Sequence, residues 1–378
     1  MKRRMLWIVI SMMAAFVLPS AGGYAGEVAG KKLTLMIYMC GSNLESSYGS
    51  ASLDIQEMLG AELNSRELNV LVMTGGSDVP EDAGFFSRSA AEIYEIGPGR
   101  IRRVWQSEEP LNMGRQDTLE RLLQFGVTNR PAERYALILW DHGGGPLEGV
   151  CWDETHEMDH LSLKEVTGAL KSILKEDRLS WIGFDACLMG SLEVAGQLAP
   201  FAEYMIASQE TEPASGWNYS FLRELHLDSD GAQTGRRIVD AYFEGQEQSR
   251  EILTLACIDL HAAEEAITAL DPVFVPLERR LGKEEFKELS GLRMSSVGFG
   301  KADPTVLESG YDLVDARDLV SRMEQTEASE NLLRLLDRAV VYSRASEEGA
   351  CGLSLYHPYV NKTGYTDKWK DEYQAFSF

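Results

Sequence analysis

Two short runs hold the side chains best suited to covalent chemistry. Apolar residues 135–140 lead into Asp141-His142-Gly143-Gly144-Gly145, and apolar residues 181–184 lead into Asp185-Ala186-Cys187-Leu188-Met189-Gly190. A cysteine attacks as thiolate, so it needs an imidazole nearby to take its proton and gains from a helix N-terminus, whose free N–H groups favour negative charge. The order of residues offers both: Cys187 stands between an apolar run and a helical one, and His142 ends an equivalent run. Cys187 is therefore read as nucleophile and His142 as its acid/base partner. Gly143 lets a substrate backbone come close, and its N–H together with that of Cys187 would hold an oxyanion. Loss of one such donor typically costs about 3 kcal/mol of transition-state stabilisation. Either residue alone reads as structural, because a cysteine at a strand end commonly packs as a small hydrophobe and a histidine as a satisfied polar group. The two together, His first and 45 positions apart (187 minus 142), carry the chemical reading.

Such residues are useful only if strands bring them to one rim. Runs 33–39, 68–74, 135–140, 181–184, 204–207, 253–258 and 352–356 read as strands, several of them apolar throughout, as strands covered on both faces are. Runs 53–63, 118–125, 163–174, 192–198 and 236–244 have helical spacing, and Ser162 with Glu165 reads as a capping box that starts a helix at about Leu163. The alternation predicts an α/β fold with a largely parallel sheet flanked by helices, whose chemistry collects at the carboxyl ends of the strands. From residue 260 to 348 the signal is mainly helical and charged. The expected organisation is a leader over 1–25, a catalytic domain over 26–259, and a smaller helical subdomain over 260–378 with a returning strand near 352–356.

The leader follows from Lys2-Arg3-Arg4, then about 14 apolar residues, then small residues near Ala25. That apolar run is short for a bilayer, which takes roughly 20 residues of helix, so export with cleavage and no stable membrane insertion is expected. Removing three positive charges takes the formal charge from -23 to -26. Such a surface makes nucleic acid a poor partner and basic peptides or divalent cations better ones. The five cysteines, 40, 151, 187, 257 and 351, are odd in number and widely spread, so at least one thiol is free. A competing motif is His156-Glu157-Met158-Asp159-His160, which matches the H-E-x-x-H zinc peptidase signature. That signature works when a helix sets both histidines on one face, whereas here the capping box starts the helix after His160. No metal site is therefore assigned. The chemistry requires no cofactor; carboxylates such as Asp153-Glu154 suit calcium as a helper, although no EF-hand loop is present.

Several segments carry a family resemblance. Leu139-Trp140-Asp141-His142-Gly143, Gly183-Phe184-Asp185-Ala186-Cys187-Leu188-Met189, Ser208-Gln209-Glu210-Thr211-Glu212-Pro213 and Gly352-Leu353-Ser354-Leu355-Tyr356 resemble the clostripain family of cysteine peptidases. Met36-Ile37-Tyr38-Met39 followed by Gly41-Ser42-Asn43-Leu44-Glu45 fits as well. The resemblance implies a caspase-like α/β fold, a dyad at Cys187 and His142, and cleavage after basic residues, Arg above all. Caspases also place the histidine about 50 residues before the cysteine. By the same resemblance Asp185 is linked to basic specificity, which physics makes reasonable because a buried guanidinium needs a carboxylate in place of water. Glu210 and Glu212 are rival candidates, and Asp141 could orient the histidine or cap a turn. A secreted binding protein that keeps the fold without the chemistry is the alternative, against which both dyad positions remain occupied.

Members of that family can mature by cleaving themselves after a basic residue between His and Cys. Residues 143–163 contain no Lys or Arg, and the first basic residues are Lys164, Lys171, Lys175 and Arg178. The expectation is either a single chain or a cut within 175–178.

Overall fold

The computed structural model describes residues 31–80, 84–225, 230–280, 283–300 and 310–357; the leader read over 1–25 lies outside them. In chain order the strands are β1 Lys31–Cys40, β2 Leu68–Gly75, β3 Glu92–Gly97, β4 Arg100–Gln106, β5 Ala132–Trp140, β6 Val150–Asp153 and β7 Asp159–Leu161. They continue with β8 Trp181–Asp185, β9 Tyr204–Ala207, β10 Thr254–Asp259, β11 Gly298–Phe299, β12 Leu313–Asp315, β13 Val340–Ala345 and β14 Ser354–Tyr356. Nine of them form one sheet in the order β13-β10-β9-β8-β5-β1-β2-β3-β4. The central five, from β9 to β2, pair in parallel, and antiparallel strands extend both flanks.

The apolar composition of the central strands follows from cover on both faces. Met36, Tyr38 and Cys40 of β1 enter one core cluster, with residues from helices Gln116–Asn129, Leu163–Leu174, Leu192–Leu198 and Leu260–Thr268. Leu35, Ile37 and Met39 enter the other, with helices Ser50–Gly60 and Gly231–Gly245. The capping box works as read: Ser162 Oγ accepts from Glu165 N–H at 3.3 Å, Glu165 Oε2 accepts from Ser162 N–H at 3.0 Å, and the helix runs Leu163–Leu174.

Two departures stand out. The β3–β4 hairpin lies in a stretch with no apolar run, because β4 is a flank strand with largely exposed side chains. The stretch read as helical over 260–348 also contains β11, β12 and β13. Of these, β13 (Val340–Ala345) completes the main sheet beside β10, half-buried and without the alternation that would mark it. The returning strand β14 pairs with β12 in a small three-stranded sheet and touches the main body through the Ser354 N–H, which donates to Gly190 O at 2.9 Å. Among the described residues no helix is long and apolar enough to cross a membrane.

Parallel strands β2-β1-β5-β8-β9 reverse direction of winding between β1 and β5. Open sheets of this kind present ligands to the crevice at the carboxyl ends of the strands on either side of such a reversal. The loops after β1, β5 and β8 therefore define the place to look.

Candidate active site

Cys187 lies two residues beyond β8, in a turn where Leu188 adopts a left-handed φ of 66°. Helix Leu192–Leu198 begins only after Ser191, whose hydroxyl caps it, so the sulfur does not sit on a helix N-terminus as the sequence suggested. Backbone amides take over that role. The Glu212 N–H points at Sγ from 3.2 Å, and the Gly143 N–H also stabilises the thiolate. Burial outweighs both and pushes the Cys187 thiol up to about 11. At neutral pH the Cys187 side chain is thus a neutral thiol.

His142 follows β5, the strand next to β8. Burial lowers its pKa below the ordinary histidine value, so the imidazole is also neutral at pH 7. Its Nε2 lies 2.7 Å from Asn43 Oδ1, and the ring of Trp152 meets it edge to face at 6.5 Å. Asp141 turns inward, where its Oδ2 accepts from Trp152 N–H at 2.6 Å, and it leaves the imidazole to Asn43. Asn43 was legible only as part of the Gly41-Ser42-Asn43 run after the first strand. Its adjacency to His142 follows from β1 pairing with β5.

His142, Cys187, Asp185 and Glu212 line a single cavity of about 190 Å³. Asp185 is buried at its floor: Oδ1 accepts from Trp217 N–H at 3.1 Å and Oδ2 from Tyr219 hydroxyl at 2.9 Å. Burial pushes it up to about 7. Glu212 is pushed well above the usual carboxylate range by burial and then by Asp185, and its Oε2 is buried without a hydrogen-bond partner. Behind them Asp54 accepts from Trp140 Nε1 at 2.7 Å and is raised by burial and by the charge of Asp185, while Glu57 accepts from Tyr219 N–H at 2.9 Å. Four carboxyls converge with no Lys or Arg among the residues lining the cavity.

Glu210 is not brought to that cavity. Its Oε1 accepts from Thr211 N–H at 2.8 Å and Gly300 N–H at 3.0 Å, so the carboxylate anchors the chain at Gly300. The H-E-x-x-H run spans the turn after β6 and the first two residues of β7, not a helix, with Glu157 and Met158 both at left-handed φ. His156 Nδ1 faces Asp153 at 3.1 Å, and His160 stacks on Trp152 at 4.8 Å. Among the described residues no group of three His, Cys, Asp or Glu side chains is placed to hold a metal ion. Asp153 Oδ2 accepts from Met113 N–H at 2.7 Å and Glu154 Oε2 from Asp78 N–H at 2.9 Å.

The chain is similar to known proteins over most of its length. The chain is 26% identical to clostripain of Hathewaya histolytica, over 88% of this chain and 76% of that protein. A secreted C11 cysteine protease of Bacteroides thetaiotaomicron, solved with an irreversible peptide inhibitor, shares the fold with a TM-score of 0.68 at 16% identity, covering 92% of this chain and 99% of that one. An inactive zymogen C11 protease of Parabacteroides distasonis matches with a TM-score of 0.69 at 20% identity, covering 91% and 98%. The model of the clostripain family spans residues 37–378, from within the first strand to the last residue. The chain belongs to the clostripain family and is a cysteine endopeptidase.

Proposed function

We propose that the enzyme cleaves peptides after basic residues, Arg and then Lys, with Cys187 as nucleophile and His142 as acid/base. The supporting observation is the cavity they share with Asp185 and Glu212, where a buried carboxylate oxygen of Glu212 has no partner. A guanidinium or ammonium entering there would supply the missing donors and the compensating charge.

With both groups neutral at rest, the reaction starts by general-base transfer. His142 accepts the thiol proton as sulfur attacks the scissile carbonyl carbon, and the carbonyl oxygen takes the electron pair. The N–H groups of Gly143 and Cys187 stabilise that oxyanion. Collapse breaks the C–N bond, the imidazolium returns its proton to the leaving amine, and an acyl-enzyme remains. Water attacks this thioester with His142 again as base, which releases the new carboxylate and restores the thiol. All steps use side chains and amides of the chain, so the reading needs no cofactor, and calcium would act on structure alone. The N-terminal leader supports export of the enzyme to peptide substrates outside the cytoplasm.

Labelling with an Arg-derived acyloxymethyl ketone, followed by mass spectrometry of the modified peptide, tests the assignment. Attachment at Cys187 that is abolished in Cys187→Ala and strongly slowed in His142→Ala is expected; attachment at another residue would refute it.

A further inference from the structure

The loop after β1 is built in a costly conformation around Asn43. Gly41 has no room for a side chain, since a Cβ there would lie 2.6 Å from the Phe86 ring and 2.9 Å from Ser77 Cβ. Ser42 follows with a φ of 48°, a left-handed conformation that a non-glycine residue adopts only when its surroundings impose it. The surroundings do so: Gly41 N–H donates to Gly75 O at 2.8 Å, Ser42 N–H to Gly76 O at 3.1 Å, and Ser77 hydroxyl to Ser42 O at 2.7 Å. What this strained turn delivers is Asn43 Oδ1 at 2.7 Å from His142 Nε2.

The orientation of the amide decides the chemistry. The oxygen of the Asn43 amide is the atom turned toward the ring, and the Ser42 hydroxyl donates to the same Oδ1 from 3.4 Å. An amide oxygen only accepts, so Nε2 must carry a proton. In a neutral imidazole Nδ1 is then the sole basic atom, and the partner of one ring nitrogen sets the role of the other.

We infer that Asn43 is a positioning residue for His142, whose side-chain oxygen accepts from Nε2–H, fixes the ring tautomer and leaves Nδ1 to receive the proton of Cys187. The inference rests on the Cys187/His142 reading. Asp141, the adjacent acid, is occupied with the Trp152 amide and does not replace Asn43 in this role.

The test compares Asn43→Leu, which keeps the size and removes the acceptor, with Asn43→Asp, which keeps an acceptor. Steady-state cleavage of a fluorogenic Arg peptide is expected to lose roughly 10–100-fold in kcat for Asn43→Leu with KM changed less than about threefold. Asn43→Asp is expected to recover at least about tenfold of that loss. Nitrogen-15 spectra of histidine-labelled wild-type enzyme should show His142 protonated at Nε2, a readout that depends on no variant folding. Protonation at Nδ1, a loss confined to KM, or full activity of Asn43→Leu would overturn the inference. Where Asn43→Leu is fully active while His142→Ala is dead, only the role of Asn43 falls. Where His142→Ala is fully active, the dyad falls with it.

Discussion

Gly143 lies against the backbone of Cys187 so closely that a Cβ on it would stand 2.1 Å from the Cys187 carbonyl oxygen and 3.0 Å from the Cys187 amide nitrogen. The absence of a side chain at Gly143 thus sets the separation of the two loops that carry Cys187 and His142. Gly143→Ala would push those loops apart and move an oxyanion donor. A loss of about 100-fold or more in kcat/KM is expected, the range for removal of one such donor. Near-wild-type turnover by a folded Gly143→Ala enzyme would contradict the oxyanion assignment.

The carboxyls divide by what they touch. Glu212 lines the cavity with its Oε2 buried beside Asp185, Asp185 is held by Trp217 and Tyr219, and Glu210 is tied to Gly300. Glu212→Gln is expected to lower the preference for Arg over a neutral residue of similar size by roughly 100-fold, as removal of a buried charge partner does. Glu210→Gln should leave that preference within about threefold and instead lower the melting temperature. Profiling both variants on a peptide library decides this. Selectivity lost through Glu210 and kept without Glu212 would reverse the assignment.

Raised carboxyls make cation binding release protons. Asp185, pushed up to about 7 by burial, is largely protonated at pH 6, and Glu212 beside it is raised as well. A guanidinium would favour their charged forms. Calorimetric titration of Cys187→Ala with an Arg peptide at pH 6, in buffers of different ionisation enthalpy, is expected to show net proton release.

The same groups tie stability to pH, because their folded pKa values exceed the unfolded ones. The native state then binds more protons than the unfolded state, and the contribution of Asp185 is full below about pH 4 and lost as pH rises through 7. Asp185→Asn should flatten that fall between pH 5 and 8 in denaturant melts. An unchanged slope would show that Asp185 does not carry it.

Self-cleavage within 175–178 is disfavoured by geometry. Those residues precede β8 and Cys187 follows it, so the five residues of that strand, roughly 16 Å, separate them at opposite ends of the sheet. Arg178 also donates to Ala202 O at 2.6 Å. The purified enzyme is expected to run as one band on a denaturing gel, identical to Cys187→Ala. Two fragments in the active enzyme alone would overturn this.

Local sequence determined the elements that need no partner to be recognised. The capping box at Ser162, the helix over Leu192–Leu198 and the strand over Tyr204–Ala207 are written in spacing and caps. Apolar runs ending in Asp-His-Gly and Asp-Ala-Cys likewise marked the rim of the sheet. Tertiary structure alone decided the rest. The strand Val340–Ala345 is defined by its neighbour β10, and amides at Gly143 and Glu212 stand where the sequence suggested a helix dipole at Cys187. Glu210 and Glu212, two residues apart, diverge to an anchor and a pocket because of what surrounds each, and Asn43 reaches His142 only through the pairing of β1 with β5. Periodicity and capping act over a few neighbouring residues, whereas charge, burial and hydrogen-bond partners are set by chain segments far away in sequence, as where Tyr219 meets Glu57.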